Sequence, residues 1–153
     1  MEVDGTRTIP VDNDIIWEVI SDPETLTECI PGAEEIEQLS ETKYQGTIKR
    51  GVAGINLSLD GEVEMVELEP PERMVAEMSG SDDKTGSKMT GEARMELVPD
   101  GDETTLEYEV DIDVTGRLAS VGARILKRKI KSDIGTYFDN VKETAEELDE
   151  QAA

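Results

Sequence analysis

Residues 105–114 read TLEYEVDIDV, and they decide the fold. Leu106, Tyr108, Val110, Ile112 and Val114 alternate with Glu107, Glu109, Asp111 and Asp113 without interruption. A period of two means successive side chains point to opposite sides, so this is a strand with one buried and one solvated face. Such a strand needs companions, and they lie upstream. Ile55, Leu57, Leu59, Val63 and Met65 share one face of INLSLDGEVEM, and Met74, Ala76 and Met78 share one of RMVAEMSG. Met89, Ala93, Met95 and Leu97 do the same in MTGEARMEL. Strands with one apolar face, joined by short turns, predict an antiparallel sheet. Leu59-Asp60-Gly61 predicts a bend or bulge, Pro70-Pro71 a break and Asp100-Gly101 a hairpin. Shorter strands at 2–10, 34–40 and 43–50 bring the sheet to seven.

The flanking segments change period. Residues 13–20, NDIIWEVI, predict a short helix after Asp12. In DPETLTECIPG (22–32) Asp22 is an N-cap, Pro23 suits the first helical position, Glu24 complements the dipole and Pro31-Gly32 ends the turn. From 117 to about 149 the spacing is helical, with Leu126, Ile130, Ile134, Tyr137, Phe138, Val141, Ala145 and Leu148 in one stripe. An antiparallel sheet with one apolar face requires a cover, and this long helix is the candidate. The expected class is α+β: a curved seven-stranded antiparallel sheet around a long C-terminal helix, with two short helices after the first strand. A sheet curled about a helix leaves room for a cavity. Five of the six methionines (65, 74, 78, 89, 95) fall on its inward face, where a flexible thioether adapts to an irregular core or an apolar ligand.

The 153 residues make one domain, 1–153, with no composition break, linker or repeat. The chain carries 37 Asp+Glu against 15 Lys+Arg, a formal net charge of −22. A surface so rich in carboxylates suits a high-salt cytoplasm, where screening suppresses self-repulsion, and predicts a halophilic source. It argues against nucleic acid as a partner, because phosphate binding needs broad positive surface. With one cysteine, Cys29, and no histidine, an internal disulfide and zinc- or copper-type sites are excluded. No signal peptide and no apolar run near the ~20 residues of a membrane span is present, so the expectation is cytoplasmic.

Several of these pieces carry a resemblance. Trp17 within IIWEVISDPETL, CIPG at 29–32, and the glycines 80, 86 and 91 of SGSDDKTGSKMTGEARMEL come first. TTLEYEVDIDVTG at 104–116 and RLASVGARI at 117–125 follow in order. Together they resemble the family of the carbon monoxide dehydrogenase G subunit, within the START-like SRPBCC superfamily and its helix-grip fold. The resemblance implies an apolar cavity that holds a quinone or lipid and no tightly bound cofactor. It also implies a partnership with a molybdenum hydroxylase of the carbon monoxide dehydrogenase kind, which the protein helps bring to the membrane. Many members have a C-terminal extension; this chain stops at Ala153, so membrane association is expected through the partner. Superfamily relatives leave two alternatives, a polyketide cyclase-like enzyme and a general lipid or small-molecule binder.

Catalysis finds no support in the residues. The carboxylates of the alternating strands lie on the wet face, Tyr108 and Tyr137 read as core, and Cys29 has no histidine to activate it. GSDDKTGSK lacks the lysine of a phosphate loop, and PDGDE lacks calcium-loop spacing. The strand pattern supplies no inward-facing ionisable pair. The inward residues Leu57, Met78, Met89, Tyr108, Ile130 and Ile134 are the expected ligand contacts. One further stretch is anomalous. From Val114 to Ser132 there is no acidic residue, yet six of the 15 cations are there. Arg117, Arg124, Lys127, Arg128 and Lys131 fall on one side of a helical wheel, with Leu118, Val121 and Ile125 beside them. Cations interleaved with apolar residues predict a docking patch for a protein partner, while Lys129 is placed to pair with Asp133.

Overall fold

The alternation at 105–114 becomes the second strand from one edge of the sheet. In a computed structural model, which describes residues 1–152, the chain forms β1 (Glu2–Ile9), α1 (Asn13–Ser21), α2 (Pro23–Cys29), β2 (Ala33–Gln38) and β3 (Lys43–Val52). Next come β4 (Ile55–Glu69), β5 (Arg73–Asp82), β6 (Ser87–Asp100), β7 (Glu103–Thr115), a 3-10 turn (Arg117–Val121) and α3 (Ala123–Ala152). Sheet order is β1-β7-β6-β5-β4-β3-β2, antiparallel at every pairing. From β2 to β7 each strand therefore pairs with the next in sequence, and β1 returns to close against β7.

Local chemistry sets the joints. Asp22 caps α2 by accepting from the Glu24 amide at 3.1 Å, with Pro23 in the first turn. Gly101, at φ 65°, turns β6 into β7. No bulge falls at Leu59-Asp60-Gly61. β4 runs unbroken there, because Gly61 pairs in register with Gly46 on one side and Gly80 on the other. The irregularity falls later, between Met65 and Glu67.

The helix expected from residue 117 is also corrected. Gly122 takes φ 98°, outside the helical region, and separates the 3-10 turn from α3. The turn is seated on the β5–β6 hairpin. Ser87 Oγ accepts the Leu118 amide at 3.0 Å, and a Cβ at Gly116 would overlap the Gly86 carbonyl.

The buried side chains form two clusters rather than one. The larger joins α1, Cys29, Met74, Leu97 and Leu106 to Phe138, Val141 and Ala145 of α3. The smaller joins Val52, Ile55, Leu57 and Leu59 to Leu118 and Leu126. The backbone of α3 comes closest to α1, α2, β1 and the 3-10 turn, which are the ends of the grip. Two arginines on the sheet's inner face tie α3 down, one from the β1 edge and one from β3, next to the other edge. Arg7 of β1 donates to the Gly135 carbonyl at 3.0 Å and to Asp139 at 2.6 Å. Arg50 of β3 engages both carboxylate oxygens of Asp133, at 3.1 and 2.5 Å.

Candidate functional site

The span between the two clusters is the part of the inner face with the least side chain on it. Gly46, Gly61 and Gly80 pair across β3, β4 and β5 in one row. In the next row Val63, Met78, Gly91 and Ile112 pair across β4 to β7. Ala76, Val110 and Ile112 are buried yet belong to neither cluster. From the helix side, Ile130 and Ile134 face this span and are half-buried. The result is an apolar floor of glycine, alanine and methionine under an isoleucine roof.

The six residues expected to contact a ligand are distributed along this space rather than gathered at one point. Leu57 is buried in the smaller cluster, at whose margin Met89 packs. Tyr108 and Ile134 pack against the larger cluster, Tyr108 with its ring centroid 4.9 Å from that of Phe138. The Tyr108 ring also lies over Gly5, where a Cβ would come within 2.7 Å of its Cζ. Met78 and Ile130 remain between, half-buried and in neither cluster. All but Leu57 keep some exposure. Two open concavities, of about 1110 and 510 Å³, lie on the opposite, outer face of the sheet. Glu62, Ser79 and Thr90 line both of them. Met89 contributes to the first and Met78 to the second.

At the edge of the inner span is a charged group that sequence reasoning missed. Lys129 Nζ lies 3.5 Å from Asp133, the expected pairing, but Asp133 is also held by Arg50. The expectation that no ionisable pair faces inward is thereby corrected. β3 supplies the cation and the helix supplies the carboxylate. The signal was present in YQGTIKRGV, where Arg50 shares its parity with the buried Tyr44 and Val52. The guanidinium fork engages both carboxylate oxygens, a geometry suited to binding. Cys29 is unsuited to nucleophilic work. Burial, the largest effect, raises its thiol pKa; the Thr144 hydroxyl 3.7 Å away lowers it, and Glu28 raises it. Tyr137 is raised as well, by burial and then by the nearby Cys29.

The positive stretch divides. Arg117, Arg124, Ile125, Lys127, Arg128 and Lys131 are exposed and Val121 is half-buried. Leu118 is a correction: it is 2% exposed and packs in the smaller cluster. The wheel that carried it outward assumed one continuous helix, and Gly122 interrupts that helix. Eight Lys and Arg side chains among the described residues make no ion pair, and seven gather at this end. They are Arg117, Arg124, Lys127, Arg128 and Lys131, with Lys84 and Lys88 from the β5–β6 hairpin. The hairpin joins the patch because the Arg117 amide donates to the Thr85 carbonyl at 3.4 Å. The first turn of α3 has no acid and its last turn no base. Local helix stability favours the reverse, so the patch exists despite the helix dipole. Among the described residues no helix is long and apolar enough to cross a membrane, and no three metal-ligating side chains converge.

The family model described as the G subunit of carbon monoxide dehydrogenase (CoxG) matches residues 5–146. No curated protein sequence matches the chain. Among solved structures, a conserved protein from Geobacillus kaustophilus superposes with a TM-score of 0.89 at 23% identity, covering 96% of each chain. A START superfamily protein from Mycobacterium smegmatis gives 0.73 at 15% identity over 96% of this chain and 98% of that one. The Zhui aromatase/cyclase from Streptomyces sp. R1128 gives 0.69 at 19% identity, covering 95% and 93%. At these identities the likeness is one of fold, the START-like helix grip.

Proposed function

The chain belongs to the CoxG family of carbon monoxide dehydrogenase G subunits, and from that premise we propose that it is a non-catalytic carrier and adaptor. It holds an apolar molecule, a quinone or lipid, between sheet and α3. It helps recruit a molybdenum hydroxylase to the membrane through the cationic end. The observation that carries the first half is the apolar span between the two core clusters, floored by small residues and roofed by Ile130 and Ile134. Unbranched, polarizable methionine beside glycine gives a surface that adapts to a flexible apolar guest. Support for the second half is the gathering of unpaired cations around the exposed Ile125 and half-buried Val121. An acidic surface on the hydroxylase is the complement that would suit them.

Trp17, the single tryptophan, packs against the larger cluster and serves as the reporter. Titration with a menaquinone analogue is expected to quench its fluorescence, and organic extraction of protein from its own host to yield a quinone or lipid. Filling the span with Met78→Trp/Trp17→Phe should abolish binding, read with a labelled analogue, while the far-ultraviolet circular dichroism is retained. Neither quenching nor an extracted ligand would remove the carrier reading. Co-sedimentation with the hydroxylase in molar salt tests the adaptor reading.

A further inference from the structure

The charged group at the edge of the apolar span has donors to spare. Arg50 uses Nε and one terminal nitrogen on Asp133, and its other terminal nitrogen, Nη1, has no acceptor among the described residues. Among the described residues Lys129 makes a single ion-pair contact, at 3.5 Å with Asp133. Two cations around one carboxylate leave the triad with a net charge of +1, in a chain whose net charge is −22. All three side chains are about one-quarter to one-third exposed, at 26%, 29% and 33%, so their charges are partly withdrawn from water. Lys129 and Asp133 immediately precede Ile130 and Ile134 in α3. Unfilled donors and an unbalanced charge at the margin of an apolar surface describe one half of a site for an amphiphile.

We propose that the ligand is a carboxylate-headed amphiphile of the long-chain fatty acid class. Its head takes Arg50 Nη1 and Lys129 Nζ, and its chain runs over Met78 beneath Ile130 and Ile134. This rests on the carrier reading and narrows it to one ligand class. A monoanion matches the spare charge, whereas a dianion would overshoot it. Arg50 and Lys129 offer charge-assisted bonds that an alcohol or ester would not draw on with equal strength. Screening at molar salt acts on long-range attraction and leaves contact hydrogen bonds in place.

The test is a fluorescence titration of the full chain, in molar salt, with cis-parinaric acid and its methyl ester. The acid is expected to bind roughly ten-fold or more tightly than the ester. Lys129→Gln should erase most of that preference and leave the ester's affinity unchanged. Arg50→Lys keeps the charge on Asp133, so it separates loss of the guanidinium fork from loss of fold, and it should reduce the preference in part. Equal affinity for acid and ester, or a preference that survives Lys129→Gln, would overturn the proposal. If the ester or the menaquinone analogue still binds in that case, the carrier reading stands and only the headgroup assignment falls. If nothing apolar binds at all, both fall together.

Discussion

A single thiol shows how burial decides chemistry. Cys29 is 1% exposed and its pKa is raised above the ordinary 9.0. A group with a raised folded-state pKa contributes stability that is complete below the unfolded value and lost as pH rises through the folded one. The stability difference between wild type and Cys29→Ala should therefore be constant up to about pH 9 and shrink above it. Urea midpoints from about pH 7 to 10.5 measure this, and a difference that grows with pH would contradict it. Native Cys29 should also resist thiol reagents at about pH 8 and react promptly in urea. Gly135 gives the opposite kind of expectation. It sits inside α3 with nothing within 4 Å of where a Cβ would stand, and its carbonyl, not its side, serves Arg7. Gly135→Ala should stabilise by about 0.5–1 kcal/mol, since the helix loses the entropy penalty of glycine. A thermal melt shifted upward by ~2–4 °C is the expected reading.

The 3-10 turn and the start of α3 separate structure from docking. Leu118 and Ile125 are seven residues apart and would share a face on one continuous helix, yet one is 2% and the other 49% exposed. Leu118→Ala should cost about 3 kcal/mol through the cavity it leaves in the smaller cluster. Ile125→Ser should change stability by no more than ~0.5 kcal/mol while weakening capture of the hydroxylase at least as much as Lys127→Gln/Lys131→Gln. Urea denaturation and pull-down in molar salt read the two effects separately. An Ile125→Ser protein that captures its partner normally would remove that residue from the patch. The same elements show what the sequence made legible. Period-two alternation located β4 to β7 because a sheet with one wet face imprints its parity on every residue. Gly122 carries no local signal of a break, since a glycine within a helical pattern is tolerated as often as it interrupts. The Arg50–Asp133 bond joins residues 83 apart, and no local period encodes that. Arg50's inward parity was nevertheless visible. The ligand residues follow from strand parity, the stripe of α3 and the family resemblance, which tell inside from outside but not which part of the inside is already filled.

The whole molecule is dominated by its charge. At −22 over 153 residues, carboxylates along the outer strand faces repel one another, and screening should relieve that. The melting temperature is expected to rise steadily from dilute buffer to molar potassium chloride. A flat profile would leave the high-salt reading without support. The ends of α3 add a consequence of their own. Unpaired cations surround its first turns, while Glu146, Glu147, Asp149 and Glu150 crowd its last. The protein thus carries opposite poles a 30-residue helix apart, and an external field exerts a torque on it as well as a pull on its net charge. Near a negatively charged body in dilute solution, repulsion of the whole would compete with a rotation that turns the 3-10 turn forward. Orientation, measured as transient electric birefringence, would then precede contact, and the face presented would be set by the axis of one helix.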